Sequence, residues 1–384
     1  MYKRIFLIVL DSVGIGGAKD ALKFNDCSAN TVGHIIEKTN IELNNLKKLG
    51  LYNLLNKSNN HTLSYYTAAE EVSNGKDTLT GHLEMMGVIT EKPFKTFING
   101  FPKELINELE HLTNRKIIGN CNASGTEIIE RLGEEHIKTG ALIVYTSADS
   151  VLQIAAHEEI ISVNELYNIC QIARNITLKD DYKVGRIIAR PFIGTKGKFV
   201  RTANRHDYAL DPSSPTVLDT LKNNGYDVIS IGKIADIFNN KGITKSIKIS
   251  DNNNGISKII DTINSDFTGL CFANLNDFDS LYGHRRNVNG YALALKAFDD
   301  KLFDIINLLK EDDLLIITAD HGNDPTYIGT DHTRENVPVL IYNKNFINPQ
   351  KLDNLKTFAD IGSSIADNFN LKSEFGNSFM EKLR

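Results

Sequence analysis

Thr318-Ala-Asp-His-Gly-Asn-Asp-Pro-Thr-Tyr-Ile-Gly-Thr-Asp-His-Thr-Arg334 follows an apolar run, Leu314 to Ile317, that reads as a short buried strand. Where that strand should end stand Asp320 and His321, and eleven residues beyond His321 comes His332. Two imidazoles and a carboxylate on a Gly-, Asn- and Pro-containing loop supply neutral nitrogens, an anionic oxygen and a backbone free to bend, which suits a divalent transition metal. Taken alone, the segment is also compatible with a polar surface turn and a helix cap. The rest of the chain weighs against that reading.

Working outward, Ile5 to Leu10 is apolar on both faces, as in a strand buried in a parallel or mixed sheet between helices. It ends on Asp11-Ser-Val-Gly-Ile-Gly-Gly17, where Lys19 stands in the place a dinucleotide fingerprint needs a third glycine. No acidic strand end follows about twenty residues later, so a Rossmann reading is set aside. An Asp at the carboxyl end of a first strand is instead where open α/β sheets collect ligand-binding groups. Further strands are predicted at 63–69, 226–231, 269–275 and 337–342, the 269–275 run leading into Asp279 and His284. Helices are expected over 30–58, with Leu43, Leu46, Leu49 and Leu51 as core, over about 290–310, and near 355–368.

From about residue 91 the rhythm changes. The stretch has its own helical (102–111, 124–138, 162–176) and strand-like (141–146, 151–155, 184–190) segments, and a basic set that includes Arg186, Arg190, Arg201 and Arg205. Asp211-Pro-Ser-Ser-Pro215 reads as its exit hinge. The expected architecture is therefore a mostly parallel α/β core (1–93 and 216–384) carrying an inserted smaller α/β cap domain (94–215).

A net charge of -5 over 384 residues gives no general reason to expect nucleic acid as a partner. The four cysteines are widely spaced without a CxxC pair, as in reduced cytosolic proteins. The six apolar residues from Ile5 to Leu10 are too few for a signal peptide core, and no run approaches membrane-spanning length. A cytoplasmic monomer with no membrane partner is expected.

Asp11, Asp279 and Asp320, each read at the end of a buried strand, together with His284, His321 and His332, exceed what one tetrahedral site takes. They suit two ions about 3.5–4 Å apart, the arrangement that clamps both oxygens of an in-line phosphoryl displacement. Thr78, in a loop running into a helix, adds a seventh ligand and a hydroxyl that a metal could activate. A hydroxyl there is more often a cap, but a helix N-terminus also receives phosphate.

Asp11-Ser-Val-Gly14, Lys76-Asp-Thr-Leu-Thr-Gly-His-Leu-Glu84, Asp277-Phe-Asp-Ser-Leu-Tyr-Gly-His-Arg-Arg286, Asp320-His-Gly-Asn-Asp-Pro-Thr326 and Gly329-Thr-Asp-His-Thr-Arg-Glu335 resemble, in order, the motifs of the phosphopentomutase family. That family belongs to the alkaline phosphatase superfamily, alongside cofactor-independent phosphoglycerate mutase. Leu83 and Asn287 depart from the family's usual Trp and Asp; neither is a metal position.

The resemblance implies an alkaline-phosphatase-like fold and interconversion of ribose 1-phosphate and ribose 5-phosphate, with their 2-deoxy forms. It implies one ion on Asp11, Thr78, Asp320 and His321 and another on Asp279, His284 and His332. The ions would be manganese, although Asp/His ligation also admits zinc. It further implies phosphate carried on Thr78, with Thr80 as the rival, and priming by a bisphosphosugar activator. Val184-Gly-Arg-Ile-Ile-Ala-Arg-Pro191 and Val200-Arg-Thr-Ala-Asn-Arg-His-Asp207 resemble the family's cap. Arg186 and Arg201 are then candidates for the remote phosphate, Asp149 for the sugar hydroxyls and Lys233 for phosphate.

Overall fold

A computed structural model describes residues 1–57, 61–147 and 150–383. The chain divides into two compact units, Met1–Pro93 together with the chain from Pro212 onward, and Phe94–Asp211.

In the first unit the apolar segments build a seven-stranded sheet. Its order is Lys245–Ile247, Asp227–Ile231, Gly269–Leu275, Arg4–Leu10, Asp313–Thr318, Val337–Tyr342 and Tyr65–Ala69. The first five strands run parallel and the last two join antiparallel. Arg4–Leu10, Gly269–Leu275 and Asp313–Thr318 are buried at every residue, which is why most of their positions are apolar on both faces. The register sets Leu10 opposite Leu275 and Val9 opposite Thr318. Three neighbouring chains therefore leave the sheet at one edge, bringing the segments after Leu10, Leu275 and Thr318 together.

At the other end of these strands a charge is buried with its partners. Arg4 Nε and Nη2 donate to Asp313 Oδ1 and Oδ2 at 2.7 and 2.6 Å, and Nη1 donates to the carbonyls of Ile263 and Ser265 at 2.7 Å each. Both side chains are essentially inaccessible. The fork geometry satisfies the guanidinium where an unpaired charge would be costly.

Some elements differ from the sequence expectation. The single helical stretch over 30–58 is three short helices, Thr31–Thr39, Asn44–Lys48 and Leu51–Leu54, interrupted where Asn40 and Gly50 take positive φ. Leu43, Leu46, Leu49 and Leu51 are nonetheless core. Asp279 does not end a strand: the strand stops at Leu275, and Asp279 lies in a π-helical turn, Phe278–Gly283. Helix Asn252–Ile263, with an Asn-rich first turn, lies outside the helices expected from the sequence. Asp251 caps it, accepting from Asn254 N, and Ile256, Ile259 and Ile263 bury its inner face.

The second unit has its own mixed sheet, ordered Ile117–Asn122, Leu142–Thr146, Val151–His157, Arg186–Ile193 and Val200–Arg201, with His206–Ala209 also paired to Arg186–Ile193. Alternation along Leu142–Thr146 splits its two faces. Leu142 and Val144 pack with Leu105, Leu109, Leu166 and Ile169 of helices Lys103–Thr113 and Val163–Ile176. Ile143 and Tyr145 pack with Ile128 and Ile129 of helix Gly125–Thr139. Among the described residues, no helix is long and apolar enough to cross a membrane.

Candidate metal centre

At the carboxyl edge of the first unit's sheet, Asp11 leaves the strand Arg4–Leu10 fully buried, and Ser12 follows in a left-handed conformation (φ 71°). That turn, costly for a side chain larger than Gly, aims Ser12 N at Asp320 Oδ1, 3.0 Å away. Asn274 Nδ2 donates to Asp11 Oδ2 at 2.9 Å from the neighbouring strand. His321 and His332 are brought ring to ring, centroids 4.2 Å apart, because Gly322 and Thr333 form a two-way backbone bridge between them. In the π-helical turn the His284 N–H donates to Asp279 O, five residues back. This places His284 Nε2 3.2 Å from Asp279 Oδ2.

Thr78 opens helix Thr78–Met85. The cap is Asp77, whose Oδ1 accepts from Leu79 N and Thr80 N and whose Oδ2 accepts from Thr80 Oγ1 at 2.6 Å. Thr78 Oγ1 instead lies 3.2 Å from His321 Nε2. The helix can come this close because residue 81 is Gly: a Cβ there would stand 2.1 Å from the Asp320 carbonyl oxygen.

The seven residues proposed as ligands thus form one cluster. Asp279, His284 and His332 offer atoms within 4.8 Å of one another, and so do Asp11, Asp279 and His321. Asp279 belongs to both groups, whereas the motif resemblance assigns it to one ion. Asp320 Oδ2 and Asp11 Oδ1 stand 3.5 and 3.4 Å from His321 Nε2. Thr78 and His284 are the partly exposed members of the cluster; the rest are buried.

The donor set fits cations. Asp11 Oδ1, Asp320 Oδ2 and His332 Nε2 are buried without a well-formed hydrogen bond, facing imidazole or carboxylate atoms 3.2–3.4 Å away, a costly state unless something positive sits among them. Nδ1 of His321 and of His284 donates to a carbonyl, Gly322 O at 2.9 Å and Thr330 O at 2.7 Å. In the neutral ring this leaves each Nε2 lone pair facing carboxylate oxygens, the arrangement a metal resolves. Burial opposes charge on His321, but Asp320 and Asp11 outweigh it and raise its pKa well above the ordinary value. Burial likewise opposes ionisation of Asp279, yet His332 and His284 hold it well below the usual carboxylate range.

The remaining sequence candidates have other partners in the structure or lie outside the described residues. Thr80 is fully buried and engaged with Asp77. Lys233 is half-buried in the turn after strand Asp227–Ile231, where its charge acts on Asp277. Arg186 and Arg201 belong to the second unit. Arg186 Nη1 is 3.8 Å from Asp207 Oδ2, and Arg201, with Arg190 and Arg205, acts on the buried Tyr145 phenol. Asp149 lies outside the described residues.

Sequence reasoning assigned no role to the residues that hold the cluster. His82 is fully buried, with Nδ1 2.8 Å from Thr78 O and 3.2 Å from Asp320 Oδ2. Arg334 donates to both Asp20 carboxylate oxygens, to Glu71 Oε2 and to the carbonyls of Glu71, Ser73 and Gly75. It thereby ties the segment leading into Thr78 to the loop that carries His332. Both lie inside the quoted motifs, but nothing in their spacing names partners so distant in sequence.

The metalloenzyme superfamily model matches residues 3–373. Among solved structures, the PH0037 protein from Pyrococcus horikoshii is similar over 98% of this chain and 100% of its own, at 13% identity and a TM-score of 0.52. A Leishmania mexicana phosphoglycerate mutase aligns over 98% and 97% at 12% identity (TM-score 0.46). A Vibrio parahaemolyticus protein of the alkaline phosphatase superfamily aligns over 100% and 71% at 12% identity (TM-score 0.46).

Proposed function

The chain belongs to the metalloenzyme superfamily and has an α/β fold; from that premise we propose that it is a phosphopentomutase with an alkaline-phosphatase-like core. It interconverts α-D-ribose 1-phosphate and D-ribose 5-phosphate, and the 2-deoxyribose phosphates, through a phosphothreonine and a 1,5-bisphosphate intermediate. One observation carries the reading. Thr78 Oγ1, free of capping duty and partly exposed, stands 3.2 Å from His321 Nε2 beside buried Asp and His atoms that lack a well-formed hydrogen bond. The ordered motifs support the substrate assignment.

Asp11, Asp320, His321 and Thr78 would hold one ion and Asp279, His284 and His332 the other, with manganese as the ion and Asp279 placed to reach both. Bound there, divalent cations offset charge on the transferring phosphoryl group and lower the pKa of the threonine hydroxyl. The chain's own part is to orient. Asp77 caps the helix so that Thr78 Oγ1 is left for the phosphoryl group, and the helix N-terminus adds its dipole. His82 anchors the Thr78 carbonyl. Thr78 gives its phosphoryl group to the free hydroxyl of a pentose phosphate, and the bisphosphate returns its other phosphoryl group to Thr78. Arg186, Arg201, Asp149 and Lys233 are assigned to the substrate's phosphate and hydroxyls on the motif resemblance alone. The reading includes a cytoplasmic monomer primed by a bisphosphosugar.

The test is intact-protein mass spectrometry after incubation with Mn2+ and ribose 1,5-bisphosphate, followed by peptide mapping. One added phosphate on Thr78, with ribose 1-phosphate then converted to ribose 5-phosphate, is expected. Release of free phosphate as the main product would make the protein a hydrolase instead.

A further inference from the structure

Arg286 follows His284 by two residues and holds a left-handed backbone (φ 52°) that a long side chain adopts only when its surroundings hold it there. Its guanidinium meets five acceptors. Nε donates to Gly329 O at 2.5 Å and Nη2 to Asp331 O at 2.9 Å. Nη1 reaches Asn323 Oδ1 at 2.5 Å, Gly283 O at 3.0 Å and Asp324 O at 3.1 Å. Four of the five lie in the segment 323–331, between His321 and His332.

Three of these contacts, to Asn323, Gly329 and Asp331, continue into the candidate metal centre. Asn323, fully buried, takes the Arg286 N–H on Oδ1 and donates from Nδ2 to Asp279 Oδ1 at 2.7 Å. Gly329 and Asp331, both held by Arg286, flank Thr330, whose carbonyl accepts from His284 Nδ1. The Asn323 amide can lie against the π-helical turn because residue 283 is Gly: a Cβ there would stand 2.7 Å from Asn323 Nδ2. One cation thus orients the Asp279 carboxylate through Asn323 and the His284 ring through Thr330. It does the same for the loop that delivers His332.

We propose that Arg286 is a positioning residue for the ion on Asp279, His284 and His332, fixing the mutual geometry of those three side chains; this rests on the metal-centre reading above. It touches none of the reacting atoms. The fork is essential, because Lys has three donors around a single point and cannot span five acceptors drawn from two loops. Groups that orient metal ligands change affinity by about 10–100-fold when removed.

The experiment is calorimetric titration of the metal-free full-length protein with Mn2+, with bound metal counted by mass spectrometry, for wild type, Arg286→Lys, Asn323→Ala and His284→Ala. Circular dichroism and thermal melting check that each variant is folded. The expected result is two ions on wild type and loss of the tight binding of one of them in His284→Ala. Arg286→Lys and Asn323→Ala should each weaken that same ion by about 10–100-fold and weaken the other by clearly less, since only Asp279 is common to both groups. Adding Arg286→Lys to His284→Ala should then change little further for the remaining ion. Unchanged affinity for both ions in Arg286→Lys and Asn323→Ala would overturn the inference while leaving the metal centre intact, and equal weakening of both ions would reduce Arg286 to general scaffolding. A wild-type protein that takes up no Mn2+ would remove the metal centre itself, and the inference with it. If Arg286→Lys does not fold, Arg286→Gln takes its place in the same titration, with the same outcomes deciding.

Discussion

Thr80 Oγ1 donates to Asp77 Oδ2 at 2.6 Å, so the second threonine of the Lys76–Glu84 motif commits its hydroxyl to the helix cap. Thr78 and Thr80 are chemically alike and two residues apart, yet only Thr78 faces His321. Thr78→Ala is therefore expected to abolish phosphate incorporation from a bisphosphosugar and mutase turnover together, with melting temperature nearly unchanged. Thr80→Ala should keep the label while costing about 1 kcal/mol for the lost hydrogen bond. Peptide mapping and urea denaturation of the two variants check this; a label that moves to Thr80 would reverse the assignment.

Metal removal should cost stability as well as activity. With Asp11, Asp279 and Asp320 buried together, an ion that binds only the folded chain adds about 2.7 kcal/mol at one hundred times its Kd. Melting temperature should rise with added Mn2+ and fall with chelator. Asp11→Asn should blunt that response, because it removes an anion from the cluster. Differential scanning calorimetry across a metal series reads both effects, and a melting temperature indifferent to metal would contradict the donor-set argument.

Asp313→Ala leaves the Arg4 guanidinium buried with two carbonyl partners and without its hydrogen-bonded counter-ion. A loss of about 3–5 kcal/mol is expected, read as a lower urea midpoint. The ion pair lies at the amino ends of strands whose carboxyl ends carry the cluster, so Mn2+ affinity should be unchanged in the protein that remains folded. A variant with native stability and altered metal binding would run against this separation.

Acid stability of the second unit should depend on Asp207. Burial alone would raise its pKa, but Arg205, hydrogen-bonded at 2.6 and 2.7 Å, and then Arg186 and Arg190 outweigh that and lower it. A carboxylate depressed in the folded state contributes stability above its unfolded pKa, about 3.9, and loses it as pH falls through the lower folded value. Denaturation midpoints measured between about pH 6 and pH 2 should fall more steeply for wild type than for Asp207→Asn, which has no such carboxylate to protonate. Parallel curves for the two proteins would count against the arginine cluster.

Much of this was legible in the residues. The runs Ile5–Leu10 and Leu314–Ile317 are apolar at every position and Gly269–Leu275 at every position but Asn274, and only a sheet covered on both faces accommodates them. Such sheets collect polar groups at one edge, so Asp11, Asp320 and His321 could be singled out before any coordinates. The Asn-rich start of helix Asn252–Ile263 and the Asn40 and Gly50 breaks were not legible, because their capping and left-handed turns are settled by a few local hydrogen bonds that periodicity does not record.

Residue types and their distance from a strand end are properties of the chain itself, and these determined the fold class and the ligand candidates. Only the folded molecule decided which threonine is free, that Asp279 reaches both ligand groups from a π-helical turn, and that Arg286, Asn323 and Arg334 brace the loops. The reason is physical: a hydrogen bond such as Asn323 to Asp279 spans 44 residues, and Arg334 to Glu71 spans 263. A side chain's partner at such separations is selected by packing and strand order, which no local pattern encodes.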